Sequence, residues 1–197
     1  KLESTSFLDN IDKFEKLELY GQKPSSMVIS CCDSRVHPTS IFGAEEGEFF
    51  IHRNIANLVP SYTLANKDCG TSAAIEYAIK ELKVRHLIIL GHTDCGGIKN
   101  GYKFHFKNIN LKYEFINNWL NNLSTVFKNV SKDIPEKKQI QQLEEESIKN
   151  SINNLFTFPY VKLSVKNKNL LIHGLIHNIS SGKLKYLSPI TENFENI

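Results

Sequence analysis

The sequence predicts an α/β fold with a mainly parallel central sheet flanked by helices, and three observations carry that prediction. Short apolar runs of strand length recur at residues 27–30, 49–52 and 86–90. An Ala-rich helical stretch over 71–83 separates the last two, and strand, helix, strand implies a parallel pair with a crossover. Two clusters of chemically active side chains directly follow the first and third runs, where open parallel sheets bind ligands.

The elements follow in chain order. Phe7, Ile11, Phe14, Leu17 and Leu19 stand at near-helical spacing, so residues 6–20 predict an amphipathic helix laid on a core or a neighbouring subunit. Gly21 and Pro24 end it. After the three strands and the crossover helix, Trp119, Leu120, Leu123 and Phe127 predict a further helix, and residues 140–155 another before Pro159. Residues 170–172 and 184–187 read as strands separated by the turn-like Ser180-Ser181-Gly182. No internal repeat is present. The 197 residues fit one domain: an N-terminal helical arm over 1–20, a core with both clusters over 21–100, a helical segment over 101–160 and C-terminal strands over 161–197.

Composition excludes several function classes. A net charge of +3, from 24 basic and 21 acidic residues, leaves no nucleic-acid footprint, and the Lys- and Asn-rich second half reads as a solvated face. No apolar run approaches the roughly 20 residues of a membrane helix. Four cysteines, two of them adjacent, do not form the dense framework of a secreted disulfide scaffold. Thiolates that hold a metal need a reducing compartment, so the expected location is cytoplasmic, or organellar if a targeting segment once preceded Lys1.

The first cluster is Cys31-Cys32-Asp33-Ser34-Arg35 and the second is His92-Thr93-Asp94-Cys95-Gly96-Gly97. Together they can bring two thiolates and one imidazole to one metal with a fourth position open, which is the recipe for catalytic zinc. Adjacent side chains leaving a strand point in opposite directions, so Cys31 and Cys32 do not both reach it. A lone Cys after an apolar strand is ordinarily just buried, and that reading stands for Cys69. In the second cluster, three residues separate His92 from Cys95, so a tight turn can aim both at one point, and Gly96 and Gly97 let backbone pass close by. Asp33 and Arg35 form a coupled pair, because an arginine in contact keeps a carboxylate ionised.

The pattern Cys-x-Asp-x-Arg followed by His-x-x-Cys resembles the β-class carbonic anhydrases, in their plant-like branch. The resemblance continues through Arg53-Asn54-Ile55-Ala56-Asn57-Leu58-Val59-Pro60, through residues 70–78, and through Asn154-Leu155, Pro159 and His173-Gly174, while residues 100–146 match by position alone. It implies one zinc per chain on Cys31, His92 and Cys95, with Cys32 as a spacer, and Asp33 and Arg35 as the catalytic pair. It also implies reversible hydration of CO₂ to bicarbonate, with Gln22 bonding the substrate, Phe50, Ile55 and Tyr77 walling it, and the Gly96 N–H donating to an oxygen. Part of that wall comes from a neighbouring chain in this family, so a homodimer or larger homo-oligomer is implied, with the N-terminal helix packed on the partner. If Arg35 lets go, Asp33 could swing in as fourth ligand; both states occur in the family.

Two thiolates cancel the formal charge of zinc, so the water it activates is expected to be less acidic than on a three-histidine zinc, where the pKa falls to about 7. Candidates for carrying the proton away are His37, His52, His105 and His177. The other branch of the family places a tryptophan in a regulatory bicarbonate pocket where this chain has Val28, so that pocket is expected to be missing and Arg53 to be structural, near a subunit interface. Rival readings are a zinc-stabilised module sealed by Asp33 and a relative acting on another small heterocumulene such as CS₂. A thiol redox enzyme or phosphatase is disfavoured: there is no Cys-x-x-Cys and no phosphate-cradling glycine loop.

Overall fold

All six residues of β1 (Ser26–Cys31) are buried, as a strand covered on both faces requires, and the sheet is built outward from it. The structure, a computed structural model, describes residues 10–63, 68–109 and 112–197. β2 (Phe49–Asn54) pairs parallel with one edge of β1 and β3 (His86–His92) with the other. β4 (Leu171–His177) runs parallel beside β3, and β5 (Leu184–Leu187) and β6 (Phe194–Asn196) continue antiparallel, giving the order β2-β1-β3-β4-β5-β6. The chain leaves β1 toward one side and returns for β3 on the other, so the crevice at the C-terminal ends of β1 and β3 is the topological switch point.

The helices are α1 (Ile11–Tyr20), α2 (Pro38–Phe42), α3 (Gly70–Lys80), α4 (Gly96–Phe106), α5 (Glu114–Leu120), α6 (Glu136–Leu155) and α7 (Pro159–Lys166). Alternation along the strands splits the core. Met27, Ile29, Leu87 and Ile89 face Ile75, Ile148, Leu155 and Val161 from α3, α6 and α7, while Val28, Leu90 and Leu175 face Val36, Ile41 and Phe42. A third cluster, around Leu58, Ile98, Tyr102, Leu123 and Leu143, caps the C-terminal end of the sheet and encloses Cys31 and Cys95.

Two glycines bring α6 onto the sheet. A Cβ on Gly91 would stand 2.6 Å from Ile148 Cδ1, and one on Gly174 would stand 2.9 Å from Ile152 Cδ1 and 3.0 Å from Ile148 Cγ2. The helix therefore lies on bare backbone of β3 and β4.

The expected elements are found with shifted bounds, and the differences have local causes. The helix expected around 119–127 is broken into α5 and two short 3₁₀ turns, Asn121–Leu123 and Val126–Asn129. Asn121, Asn122, Ser124 and Thr125 crowd the break, and such side chains compete for backbone groups. β4 begins at Leu171 and runs on to His177, past its expected end, because all seven residues pair with β3. α4 was not foreseen: it opens on Gly96-Gly97 and has no side-chain cap. The start of the expected N-terminal helix, Phe7 included, lies outside the described residues; over Ile11–Tyr20 none of its side chains is buried, and Lys13 holds it to Glu45 and Glu46 at 2.9 Å each.

Candidate metal centre

Cys31 is the last residue of β1 and His92 the last of β3, while Cys95 closes the turn before α4. That turn is tight because Asp94 takes a left-handed conformation, φ 62°, which an Asp tolerates better than most residues. The Cys31 and Cys95 sulfurs stand 3.9 Å apart, and the three ligand atoms lie within 4.8 Å of one another, all buried. Two sulfurs bound to one zinc at about 2.3 Å in a tetrahedron stand roughly 3.8 Å apart, so the spacing fits. Cys32 is exposed, as a spacer should be.

The imidazole meets the same test. His92 Nδ1 lies 2.9 Å from the Thr93 carbonyl, which assigns the proton to Nδ1 and leaves Nε2 with its lone pair; Nε2 is buried without a hydrogen-bond partner. A cation among the three atoms would satisfy it. The thiols need one too: the Cys95 S–H stabilises a Cys31 thiolate and lowers that thiol's pKa, while Cys31 and burial push Cys95 up. Two ionised sulfurs at this distance require a positive charge between them. For His92, burial disfavours the charged form, but Cys31, the Thr93 carbonyl and Asp33 outweigh it and raise the pKa.

Asp33 stands beside the ligands and is held away from them. Its Oδ2 is 3.8 Å from His92 Nε2, while Arg35 donates from Nε to Oδ1 at 2.9 Å and from Nη2 to Oδ2 at 2.8 Å. Arg35 first, with its own backbone N–H, holds the Asp33 carboxyl well below the usual carboxylate range. The guanidinium also reaches the second loop, to Asp94 Oδ2 at 3.3 Å and the Asp94 carbonyl at 3.2 Å. One arginine thus spans both ligand-bearing loops.

Arg53 has a role that sequence reading described only as structural. From β2 it donates to the carbonyls of Cys31 (2.9 Å), Asp33 (2.8 Å) and Val36 (2.8 Å), binding backbone rather than an acid. Glu144 of α6 was missed outright. It is 2% exposed and its Oε1 accepts the Cys95 N–H at 3.0 Å; burial pushes its carboxyl up to about 7, opposed by that N–H. A signal was present: Ile140 and Ile148 lie one turn before and after it, so an acid falls on the apolar stripe.

The expected substrate residues divide. Ile55 packs on the ligand cluster, its carbonyl accepting the Trp119 indole N–H at 2.8 Å, and a Cβ on Gly97 would meet Ile55 Cγ2 at 2.8 Å. Gly96 opens α4 with empty space where its Cβ would be. Phe50 and Tyr77 pack on each other, ring centroids 5.7 Å apart, and Phe50 belongs to the cluster under α3 rather than the one enclosing the ligands. Gln22 is exposed between α1 and β1. Of the four other histidines considered, His37 bonds Thr39, His52 bonds Thr71 and His105 the Leu120 carbonyl; His177 lies opposite His92 in the β3–β4 register and is buried.

Comparison with known proteins bears on the family and the fold. The sequence pattern of the carbonic anhydrase family (Pro_CA) matches residues 26–184. The chain is 34% identical over 190 residues to the mitochondrial beta carbonic anhydrase 6 of Arabidopsis thaliana, covering 94% of this chain and 63% of the plant protein. The beta-carbonic anhydrase CcaA superposes with a TM-score of 0.90 at 28% identity, over 98% of this chain and 86% of that one. Tetrameric beta-carbonic anhydrases of the ascomycete Sordaria macrospora give 0.77 at 29% identity, over 93% and 89%.

Proposed function

Since this chain belongs to the carbonic anhydrase family, we propose that it catalyses the reversible hydration of carbon dioxide to bicarbonate and a proton with one zinc held by Cys31, His92 and Cys95. The chain spans 63% and 64% of the lengths of two plant relatives it matches, so the activity is read from its own site. The observation that carries the reading is a closed set of three buried ligand atoms beside a carboxylate that an arginine keeps ionised and off the metal position.

Zinc, when bound, supplies the Lewis acidity that makes water a nucleophile. The residues do the rest. Asp33, ionised and with Arg35 on both oxygens, accepts a hydrogen bond from the attacking water and turns its lone pair toward the substrate carbon. Ile55 supplies an apolar wall for an uncharged gas, and the Gly96 N–H, first in α4, is the donor assigned to the oxygen on which charge develops. Of the candidate proton carriers, His177 is buried opposite His92 in the strand register.

A single chain leaves the pocket incomplete, because Phe50 packs under α3, Tyr77 on that helix is 47% exposed, and Gln22 is exposed. We assign these three to the site of a second copy, in at least a homodimer. α1 supports this reading: it buries none of its side chains on its own chain and exposes Ile11, Leu19 and Tyr20. Two thiolate ligands favour a reducing compartment, the cytoplasm by default. Among the described residues no helix is long and apolar enough to cross a membrane.

Stopped-flow CO₂ hydration, with zinc stoichiometry on the same sample, tests the proposal. One zinc per chain with hydration activity supports it; zinc without activity favours the sealed module, or a relative acting on CS₂ if that substrate turns over.

A further inference from the structure

We propose that Glu144 is a positioning residue for the metal ligand Cys95, acting through the Cys95 backbone rather than by touching metal or substrate. The inference rests on the zinc reading above and adds a residue to it.

The geometry is specific. α6 lies on the sheet where Gly91 and Gly174 lack side chains, and Ile148 fills the space over both. Glu144 is one turn earlier on the same face, which places it past the end of β3, over the loop that carries His92 and Cys95. There its Oε1 takes the Cys95 N–H at 3.0 Å. That N–H precedes the first turn of α4 and has no helical carbonyl to bond, so a carboxyl oxygen from another element satisfies it. The turn it braces also holds Asp94 in a left-handed conformation, so removal of the brace lets the turn relax and the Cys95 sulfur drift.

A buried carboxyl is a costly way to satisfy one amide, and an apolar residue would suit the stripe between Ile140 and Ile148 better for packing alone. Its neighbours on that stripe spend their polar atoms on the same end of the sheet: Ser151 accepts the Val59 N–H at 3.2 Å, and Asn154 donates to the Val59 carbonyl at 2.7 Å. α6 therefore acts as a rail along which the loops at the switch point are pinned, and Glu144 pins the one that holds two ligands.

The test uses zinc(II) as probe, titrated into the full-length zinc-free protein in competition with a chelating dye, with amide hydrogen exchange at Cys95 read on the zinc-free protein. Glu144→Leu, which removes the acceptor, should weaken zinc binding about 10- to 100-fold, the usual cost of losing a group that orients a ligand, and speed Cys95 exchange. Glu144→Gln keeps an acceptor oxygen in place and should restore both toward wild type, whereas Glu144→Asp, drawn back by one methylene, should fall between. A Leu variant that binds zinc like wild type, or a Gln variant that loses as much as Leu, overturns the proposal. If the Leu variant does not fold, an Asp variant that matches Gln in both readouts overturns it. If wild type itself takes no zinc, the zinc reading fails, and unchanged Cys95 exchange across the variants then overturns the Glu144 assignment separately.

Discussion

Arg35 grips Asp33 through both carboxylate oxygens and, with the same guanidinium, reaches Asp94 on the other ligand-bearing loop. This arrangement separates two jobs that a carboxylate near a metal could do. While the grip holds, Asp33 is an acceptor for water rather than a ligand.

Asp33→Asn should therefore cost turnover far more than zinc. The amide keeps the shape but loses the charge, and its NH₂ donates where the reaction needs an acceptor. A loss on the order of 10²-fold in kcat is expected for an orienting acid–base group, with zinc content close to wild type. Zinc lost in proportion to activity would point to the sealed module.

Cys95→Ser should lose most zinc and activity together, since serine removes one of two thiolates from a three-ligand set. Cys32→Ser should keep both, because Cys32 is exposed and faces away. Metal analysis after gel filtration reads the two variants directly.

Acid should destabilise the zinc-free protein through histidines away from the ligands. Burial holds His52 below its ordinary 6.5, and burial together with His86 does the same for His173. The unfolded chain takes up these protons first, so stability is full above about pH 6.5 and is lost as pH falls through the folded values. The melting temperature should fall between pH 7 and 5, and His52→Gln with His173→Gln should flatten that fall.

Hydration should rise from neutral to alkaline pH without cooperative inactivation by bicarbonate. Val28 is fully buried among Val36, Leu90 and Leu175, and Arg53 is committed to three carbonyls, so neither offers bicarbonate a site that differs between two states. Rate profiles at several bicarbonate concentrations check this. A steep, bicarbonate-dependent loss below about pH 8, the regime expected if the activated water is less acidic than the zinc water of about pKa 7, would overturn it.

Much of this was legible in the residues because the chemistry sits directly on the strongest structural signal. β1 and β3 are nearly unbroken apolar runs, and Cys31 and His92 end them. What was not legible depends on contacts between distant segments. Glu144 sits in a run of three glutamates; the stripe through Ile140 and Ile148 marks it as the inward one, but only the fold brings it to the Cys95 N–H. α4 starts on two glycines, the weakest helix opening by propensity, and is held by its packing on the Ile55 turn. Phe50 and Tyr77 pack on each other, yet which site they face is a property of an assembly rather than of a chain.

Gly91 and Gly174 carry no chemistry, yet they restrict which sequences can descend from this one. An alanine at Gly91 would force Ile148 aside and one at Gly174 would force Ile152 and Ile148 aside, or else lift α6 and move the loops pinned along that helix with it. Drift at these two places is closed for want of room, while the exposed Lys and Asn positions of the second half remain open. Relatives that retain the site should differ most on that solvated surface and keep these two hydrogens.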